Sequence, residues 1–389
     1  MYIKRKVNIA SKLVRKSQFF FGPRSTGKTS YISSELSDDV ILRWDLLNTR
    51  IRRQAERDPG ILYEEVMALE KSEGIVVIDE IQKVPDLLDE VHRLIEENKG
   101  LRFLLTGSSA RKFVRSGVNL LGGRAGKCYM FPFVYPEVCN IDYSLDHIFY
   151  SGLLPSAYLS DDPDSVLEDY VDTYLYDEIQ SEGDVRNLPA FSKFLEIATL
   201  STGNILNFSN IASDVGLSKT SIREWYQILT DTLLGFELSP FTKTKKRKPI
   251  ETAKYYLFDV GVLRSILNLN PPRENQTEYG ILFETFLLNE IRAYLSYTEK
   301  DRKYPLSFWR STGGFEVDAI IGDEVALEFK TAKALVKRDF RGLSAFFEEG
   351  IAKKYIIVSR EERKRLVDGT FLVYPWKEFL SDLWEGKII

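Results

Sequence analysis

Gly22-Pro23-Arg24-Ser25-Thr26-Gly27-Lys28-Thr29 is the stretch that decides how the N-terminal part of this sequence folds. It fits the pattern GxxxxGK[ST] in full, and each fixed position has a chemical reason. A loop with open backbone N–H groups wraps phosphate oxygens, Lys28 reaches the β and γ phosphates, and the Thr29 hydroxyl ligates Mg2+. A helix opening at Lys28 adds its positive end to the same place. The residues expected to contact an ATP-like nucleotide are therefore Gly22, Pro23, Arg24, Ser25, Thr26, Gly27, Lys28, Thr29 and Ser30.

The flanks agree. Gln18 to Phe21 reads as a short strand before the loop and Lys28 to Glu35 as the helix after it. Val40 to Trp44 is a second strand, Ile61 to Lys71 a helix, and Gly74 to Asp79 an apolar run suited to a parallel strand buried on both faces. Leu87 to Glu97 is a helix and Leu101 to Thr106 another buried strand. Strand and helix in alternation imply an α/β fold, a parallel sheet covered by helices, over residues 1–150. Ile75-Val76-Val77-Ile78-Asp79-Glu80 ends in two carboxylates, Asp79 to hold the metal shell and Glu80 to orient or activate a water. Thr106-Gly107-Ser108-Ser109 ends the next strand, which places Ser108 to sense the γ-phosphate or the water. Arg111 and Arg124 both qualify as the arginine that neutralises transition-state charge, in cis or from a neighbouring subunit.

These phrases resemble the prokaryotic AAA-superfamily ATPases that carry a winged helix and a C-terminal domain of unknown function with a restriction-endonuclease-like core. The resemblance rests on Gly22 to Thr29, Ile78-Asp79-Glu80-Ile81-Gln82-Lys83-Val84-Pro85, Leu105-Thr106-Gly107-Ser108-Ser109 and Gly123-Arg124. Downstream, Tyr255-Tyr256-Leu257-Phe258-Asp259-Val260-Gly261 and Phe315-Glu316-Val317-Asp318 extend it over nearly the whole chain. It implies ATP binding and three modules: an AAA-type P-loop domain over 1–150, a helical and winged-helix domain over 151–270, and a restriction-endonuclease-like domain over 271–389.

In the middle module, Val166 to Glu178 and Ala190 to Leu200 carry apolar residues at helical spacing. Phe208 to Val215, the turn Gly216-Leu217 and Ser218 to Leu234 read as helix, turn, helix, with Ser218 as N-cap. Phe236 to Phe241 and Lys254 to Phe258 are strands flanking Lys243, Lys245, Lys246, Arg247 and Lys248, which completes a winged-helix pattern. Lys219, Thr220, Ser221 and Arg223 stand where such a helix meets the DNA major groove, and the basic loop suits phosphates.

The last module starts with a helix from Tyr279 to Leu295, then strands at Leu306 to Arg310, Phe315 to Ile321 and Val325 to Phe329, the last two joined by Gly322-Asp323. Phe340 to Glu348 follows as a helix and Tyr355 to Val358 as a strand. Alternation puts Glu328 and Lys330 on one face, and the hairpin brings Asp318 alongside. Asp318 and Glu328 would share a second Mg2+ or Mn2+, Lys330 would position the attacking water, and Glu284 would complete the metal cluster. These residues resemble the PD-(D/E)xK nuclease core.

The 389-residue chain has a formal net charge of −4, so any nucleic-acid contact must come from local basic patches. Its 44% hydrophobic and 28% charged composition is that of a globular, multidomain protein. Cys128, Cys139, His92 and His147 are its complement of cysteine and histidine, too few for a zinc site or disulfide framework, so metal chemistry must use oxygen. With no secretory signal and no apolar run long enough to cross a bilayer, a cytoplasmic protein without membrane contact is expected.

Two functions follow. In one, the ATPase regulates a DNA-associated, metal-dependent nuclease. In the other it drives a switch or scaffold whose C-terminal domain is silent and binds a protein partner. A homo-oligomer fits either, since relatives of this type often place the arginine across a subunit boundary. A small-molecule kinase is disfavoured, because a water-activating Glu80 wastes the phosphate.

Overall fold

Gln18 to Phe21 is apolar beyond its first residue, and a strand apolar on both sides belongs in the middle of a covered sheet. In the computed structural model, which describes residues 2–109, 120–175, 187–274 and 276–389, this run forms β1 (Ser17–Phe21), buried throughout. Arg111 and the end of the helix expected to reach Glu178 lie outside the described residues. β2 (Val40–Asp45), β3 (Gly74–Asp79), β4 (Leu101–Gly107) and β5 (Ala125–Tyr129) complete a five-stranded sheet in the order β2-β3-β4-β1-β5. Every pairing is parallel. One face is packed by Phe19, Phe21, Val76, Ile78, Phe103 and Leu105 against Leu62 and Val66 of the helix Ile61–Ala68 and Val91 and Leu94 of the helix Leu87–Glu97. On the other, Phe20 meets Tyr31 of the helix Lys28–Glu35 edge to face, with ring centroids 5.7 Å apart. Each such buried side chain contributes about 1.5–3 kcal/mol.

Chain packing divides the molecule into two compact units, one built on Met1–Pro132 and the other on Phe133–Tyr176, Val185–Thr230 and Gly235–Ile389. The division falls at Pro132, earlier than the boundary expected at 150, and residues on both sides of the boundary expected at 270 share one unit.

The reason for the second difference is the second unit's sheet. β6 (Gly235–Pro240) and β7 (Lys254–Leu257) pair antiparallel, and β8 (Leu306–Arg310), β9 (Glu316–Ile321) and β10 (Val325–Phe329) form an antiparallel meander. β11 (Lys354–Ser359), β12 (Arg365–Val367) and β13 (Phe371–Pro375) extend it to eight strands in the order β12-β13-β11-β10-β9-β8-β6-β7. The end of β6 runs parallel to β8, Ser239 opposite Ser307, and Phe241 N donates to Phe308 O at 2.6 Å. The two strands expected to flank the basic wing are thus continuous with the C-terminal sheet.

The helix Phe208–Val215 ends at Gly216, whose φ of 79° is the left-handed cap that glycine adopts freely. Ser218 Oγ then accepts from Ser221 N at 3.1 Å and opens the helix Lys219–Asp231. Ile222, Trp225 and Tyr226 turn inward, Trp225 against Phe191 and Phe194 and Tyr226 against Tyr255, which leaves Lys219, Thr220 and Arg223 exposed.

Two buried carboxyls that the sequence did not single out tie this unit together. Asp259 caps the helix Val260–Ile266 through Gly261 N and Val262 N and accepts from Leu153 N at 2.7 Å. Glu290, on the helix Thr277–Tyr297, accepts from Tyr135 N at 2.8 Å, Tyr143 Oη at 3.0 Å and Trp384 Nε1 at 2.8 Å.

Candidate nucleotide site and a second ionic cluster

In a parallel sheet the loops after the strands gather at one edge, the usual place for a ligand. Here Gly22 follows β1, Asp79 ends β3 and Ser108 follows β4. The loop after β1 is wrapped by its own side chains: Lys28 Nζ donates to Gly22 O at 2.7 Å and Pro23 O at 3.1 Å, and Thr26 Oγ1 to Pro23 O at 2.8 Å. Ser25 and Gly27 hold left-handed backbones, with φ of 62° and 91°. Alternating backbone of this kind turns successive N–H groups inward as an anion cradle. The buried Arg5 clamps the loop from outside, donating to Thr26 O at 2.5 Å and Phe131 O at 2.7 Å. Thr29 and Ser30, at the start of the helix, face solvent.

Thr29 Oγ1 donates to Asp79 Oδ2 at 3.3 Å. The two proposed metal-shell oxygens therefore already meet, and their hard-oxygen chemistry fits Mg2+. Asp79 also receives Arg43 at 3.1 Å and the Thr106 hydroxyl. Thr106 Oγ1 in turn accepts from Glu80 N at 3.2 Å. Glu80 adopts φ 61°, ψ 44°, a left-handed geometry that costs a non-glycine residue on the order of 1 kcal/mol. The bend follows the last residue of β3 and aims the Glu80 side chain at Gln82 and Ser108. Gln82 Nε2 bonds Glu80 Oε2 at 2.5 Å and Ser108 Oγ at 3.0 Å, and Ser108 Oγ lies 3.4 Å from the same Glu80 oxygen. Gly107 makes room for this: a Cβ there would come within 2.6 Å of Gln82 Oε1.

Arg124 is not part of this edge. It precedes Ala125, which pairs with Ser17 at the start of β1, while the loop leaves β1 after Phe21. Four residues of strand, roughly 13 Å, separate the two ends. Arg124 is paired with Glu96, whose carboxyl it holds below the usual range.

Residues 14–139 match the family model described as an AAA domain.

With the folded loop, that match supports an AAA-type, ATP-binding P-loop module. Residues 143–273 and 279–379 match two models described as domains of unknown function, DUF8612 and DUF4143. Over 372 residues the chain is 24% identical to the uncharacterized proteins Mb2031c of Mycobacterium bovis and Rv2008c of Mycobacterium tuberculosis, covering 92% of this chain and 80% of each of theirs. Among solved structures, the Aeropyrum pernix ORC1 protein in complex with DNA aligns at 14% identity and TM-score 0.31, over 69% of this chain and 93% of its own. Drosophila ORC bound to GC-rich DNA and Cdc6 aligns at 10% identity and TM-score 0.22, over 67% and 88%. Likeness at those scores says nothing of what this chain binds. No described helix is long and apolar enough to cross a membrane.

The four polar residues expected in the C-terminal module do come together, though as an ionic network. Asp318 Oδ2 accepts from Phe329 N at 2.7 Å, and Lys330 Nζ bonds Glu328 Oε1 at 2.5 Å. Burial, with Asp318 beside it, pushes Glu328 well above the usual carboxylate range. Burial also raises Glu284, against the pull of Lys254. Lys254 was not anticipated: from β7 its ammonium reaches Glu316 at 2.5 Å and Glu284 at 3.4 Å. Tyr256 donates to the same Glu284 oxygen. Glu284, Asp318 and Glu328, expected as a metal-ligand set, thus lie within this ion-paired network. Among the described residues no group of three or more His, Cys, Asp or Glu side chains is arranged to hold a metal ion. One oxygen each of Glu284, Asp318 and Glu328 is engaged, by Lys254 and Tyr256, by Phe329 N and by Lys330.

The basic loop between β6 and β7 is anchored by two glutamates. Glu349 accepts from Lys245 N at 2.8 Å, Lys246 N at 2.7 Å and Arg247 N at 3.1 Å, and Arg247 pairs with Glu348 at 2.6 Å. Lys243, Lys245, Lys246 and Lys248 are exposed, and none is ion-paired among the described residues.

Proposed function

We propose that this chain is a Mg2+-dependent ATP hydrolase of the AAA type that engages DNA through residues 208–257. The observation that carries the reading is the meeting of Thr29 with Asp79 beside a loop already wrapped around Lys28. Thr29 and Asp79 would hold Mg2+, which supplies charge neutralisation on the β and γ phosphates. Lys28 would exchange its carbonyl partners for phosphate oxygens. Glu80, held by Gln82 and Ser108, would orient the attacking water and take its proton. Ser108 lies in the same hydrogen-bonded group and would report the γ-phosphate to Glu80. Arg124, at the far end of the strands, would serve a neighbouring subunit.

DNA association is supported by the exposed Lys219, Thr220 and Arg223 at a helix start and by four exposed lysines on a seated loop. The helix, the meander and the placing of Asp318 and Glu328 on adjacent strands, with Lys330 directly after the second, support a nuclease-like reading of the C-terminal module. The engaged carboxylates favour a form that does not cut and instead acts as a switch or scaffold toward a protein partner.

ATP turnover with and without DNA tests the proposal. Lys28→Ala is expected to lose nucleotide binding, and Glu80→Gln to keep binding while losing turnover by about a hundredfold or more. Unchanged hydrolysis in Lys28→Ala would refute the site. Metal-dependent cutting of plasmid DNA that disappears in Lys330→Ala would refute the non-cutting form.

A further inference from the structure

Among the described residues, Lys254 is the one cation of the C-terminal cluster supplied by a segment before the helix Thr277–Tyr297. Its side chain is 3% exposed. A buried ammonium persists only where carboxylates compensate it, and Glu284 and Glu316 do so here. Its place is fixed independently of the cluster: Ile205 bridges to Lys254, and Leu206 N donates to Ala253 O at 3.1 Å. The ammonium also stands over the Phe308 ring, 5.3 Å from its centre.

We infer that Lys254 is a resident cation that takes the charge-balancing place of a divalent metal and keeps Glu284, Glu316 and Asp318 from binding Mg2+ or Mn2+. Mg2+ needs several unengaged oxygens at about 2.1 Å. Glu284 and Glu316 are held by the ammonium, one oxygen of Asp318 by Phe329 N, and one oxygen of Glu328 by Lys330. The other Glu328 oxygen is buried with no hydrogen-bond partner, an acceptor that a cation would satisfy once Lys254 is removed. Control of the cluster thus lies in β7, next to the basic loop and outside the segment that carries the acids. This deepens the non-cutting reading and rests on it.

The test is Mn2+ titration of the nucleotide-free, full-length chain, read by electron paramagnetic resonance. The wild type is expected to show no site that Asp318→Asn abolishes. Lys254→Met is expected to gain one, at least about tenfold tighter than any wild-type binding and lost again with Asp318→Asn added. A wild-type Mn2+ site that Asp318→Asn abolishes would overturn the inference, as would a Lys254→Met chain with wild-type circular dichroism and ATP binding but no new site. If Lys254→Met fails to fold, the wild-type and Asp318→Asn pair decides alone. A wild-type site without DNA cutting sinks the role of Lys254 only, whereas cutting sinks the non-cutting reading as well.

Discussion

Gln82 Nε2 lies 2.5 Å from Glu80 Oε2, so the carboxylate proposed to handle the attacking water is held by the residue two positions further along the chain. Gln82 is buried and also bonds Ser108, which makes it a positioning residue. Gln82→Ala is expected to lower kcat for ATP by about tenfold to a hundredfold with little change in KM, because misplacing a group that acts in the transition state leaves ground-state binding alone. Steady-state kinetics with a separate nucleotide-binding measurement checks this; a matching loss of affinity would show that Gln82 shapes the pocket instead.

Arg124 sits at the opposite end of β1 and β5 from the nucleotide loop. If it completes a neighbour's site, Arg124→Ala and Lys28→Ala chains should each be inactive alone, yet regain activity when mixed, since one partner contributes an intact loop and the other an intact arginine. Hydrolysis that stays absent across mixing ratios would rule out that arrangement.

The loop held by Glu349 offers four exposed lysines to phosphates. Changing Lys243, Lys245, Lys246 and Lys248 to Gln should weaken DNA binding for all sequences alike. The slope of log affinity against log salt should fall by up to about 3.6, at ~0.9 per lost phosphate contact. Fluorescence anisotropy at several salt concentrations measures both quantities. Glu349→Ala, which frees the loop backbone but keeps the charges, should weaken binding while leaving the slope nearly intact.

Burial pushes Glu290 from 4.5 up to about 8, despite hydrogen bonds from Trp384, Tyr143 and the Tyr135 N–H. Below the lower value both folded and unfolded chains hold the proton; between the two values only the folded chain does. Stability should therefore fall as pH rises through that window, by at most about 1.4 kcal/mol per unit, and level off above it. Urea denaturation from about pH 5 to about pH 9 should show this slope in the wild type and not in Glu290→Gln. The glutamine leaves one of three donors unmatched, so that variant should also be less stable at the acid end, by about 1–3 kcal/mol.

The first sheet was legible because local chemistry forces it: β1, β3 and β4 are apolar runs, and Gly22 to Thr29 and Asp79 to Glu80 lie directly at their ends. β5 escaped notice because Ala125-Gly126-Lys127-Cys128-Tyr129 is only partly buried and carries no alternation. Thr106, Arg43 and Gln82 were given no role because they act through partners brought near by the fold, although Thr106 and Gln82 both lie inside phrases that carried the family resemblance. The acids of the C-terminal module were found from alternation on a hairpin. Lys254 was not, because its partners Glu284 and Glu316 are far away in sequence. A lysine at the end of a basic loop looks like one more solvated charge until the strand pairing turns it inward.

The continuity of β6 with β8 has a practical consequence for anyone dividing this chain. A fragment cut between residues 273 and 279, where the two matched domains of unknown function meet, would strip β8 of its neighbour and leave a raw strand edge beside Trp309 and Phe308. Such edges pair with whatever strand they find. The separated halves should be sticky and poorly behaved, and a natural rearrangement that shuffled one without the other would carry the same handicap. The two domains are thus expected to be inherited together.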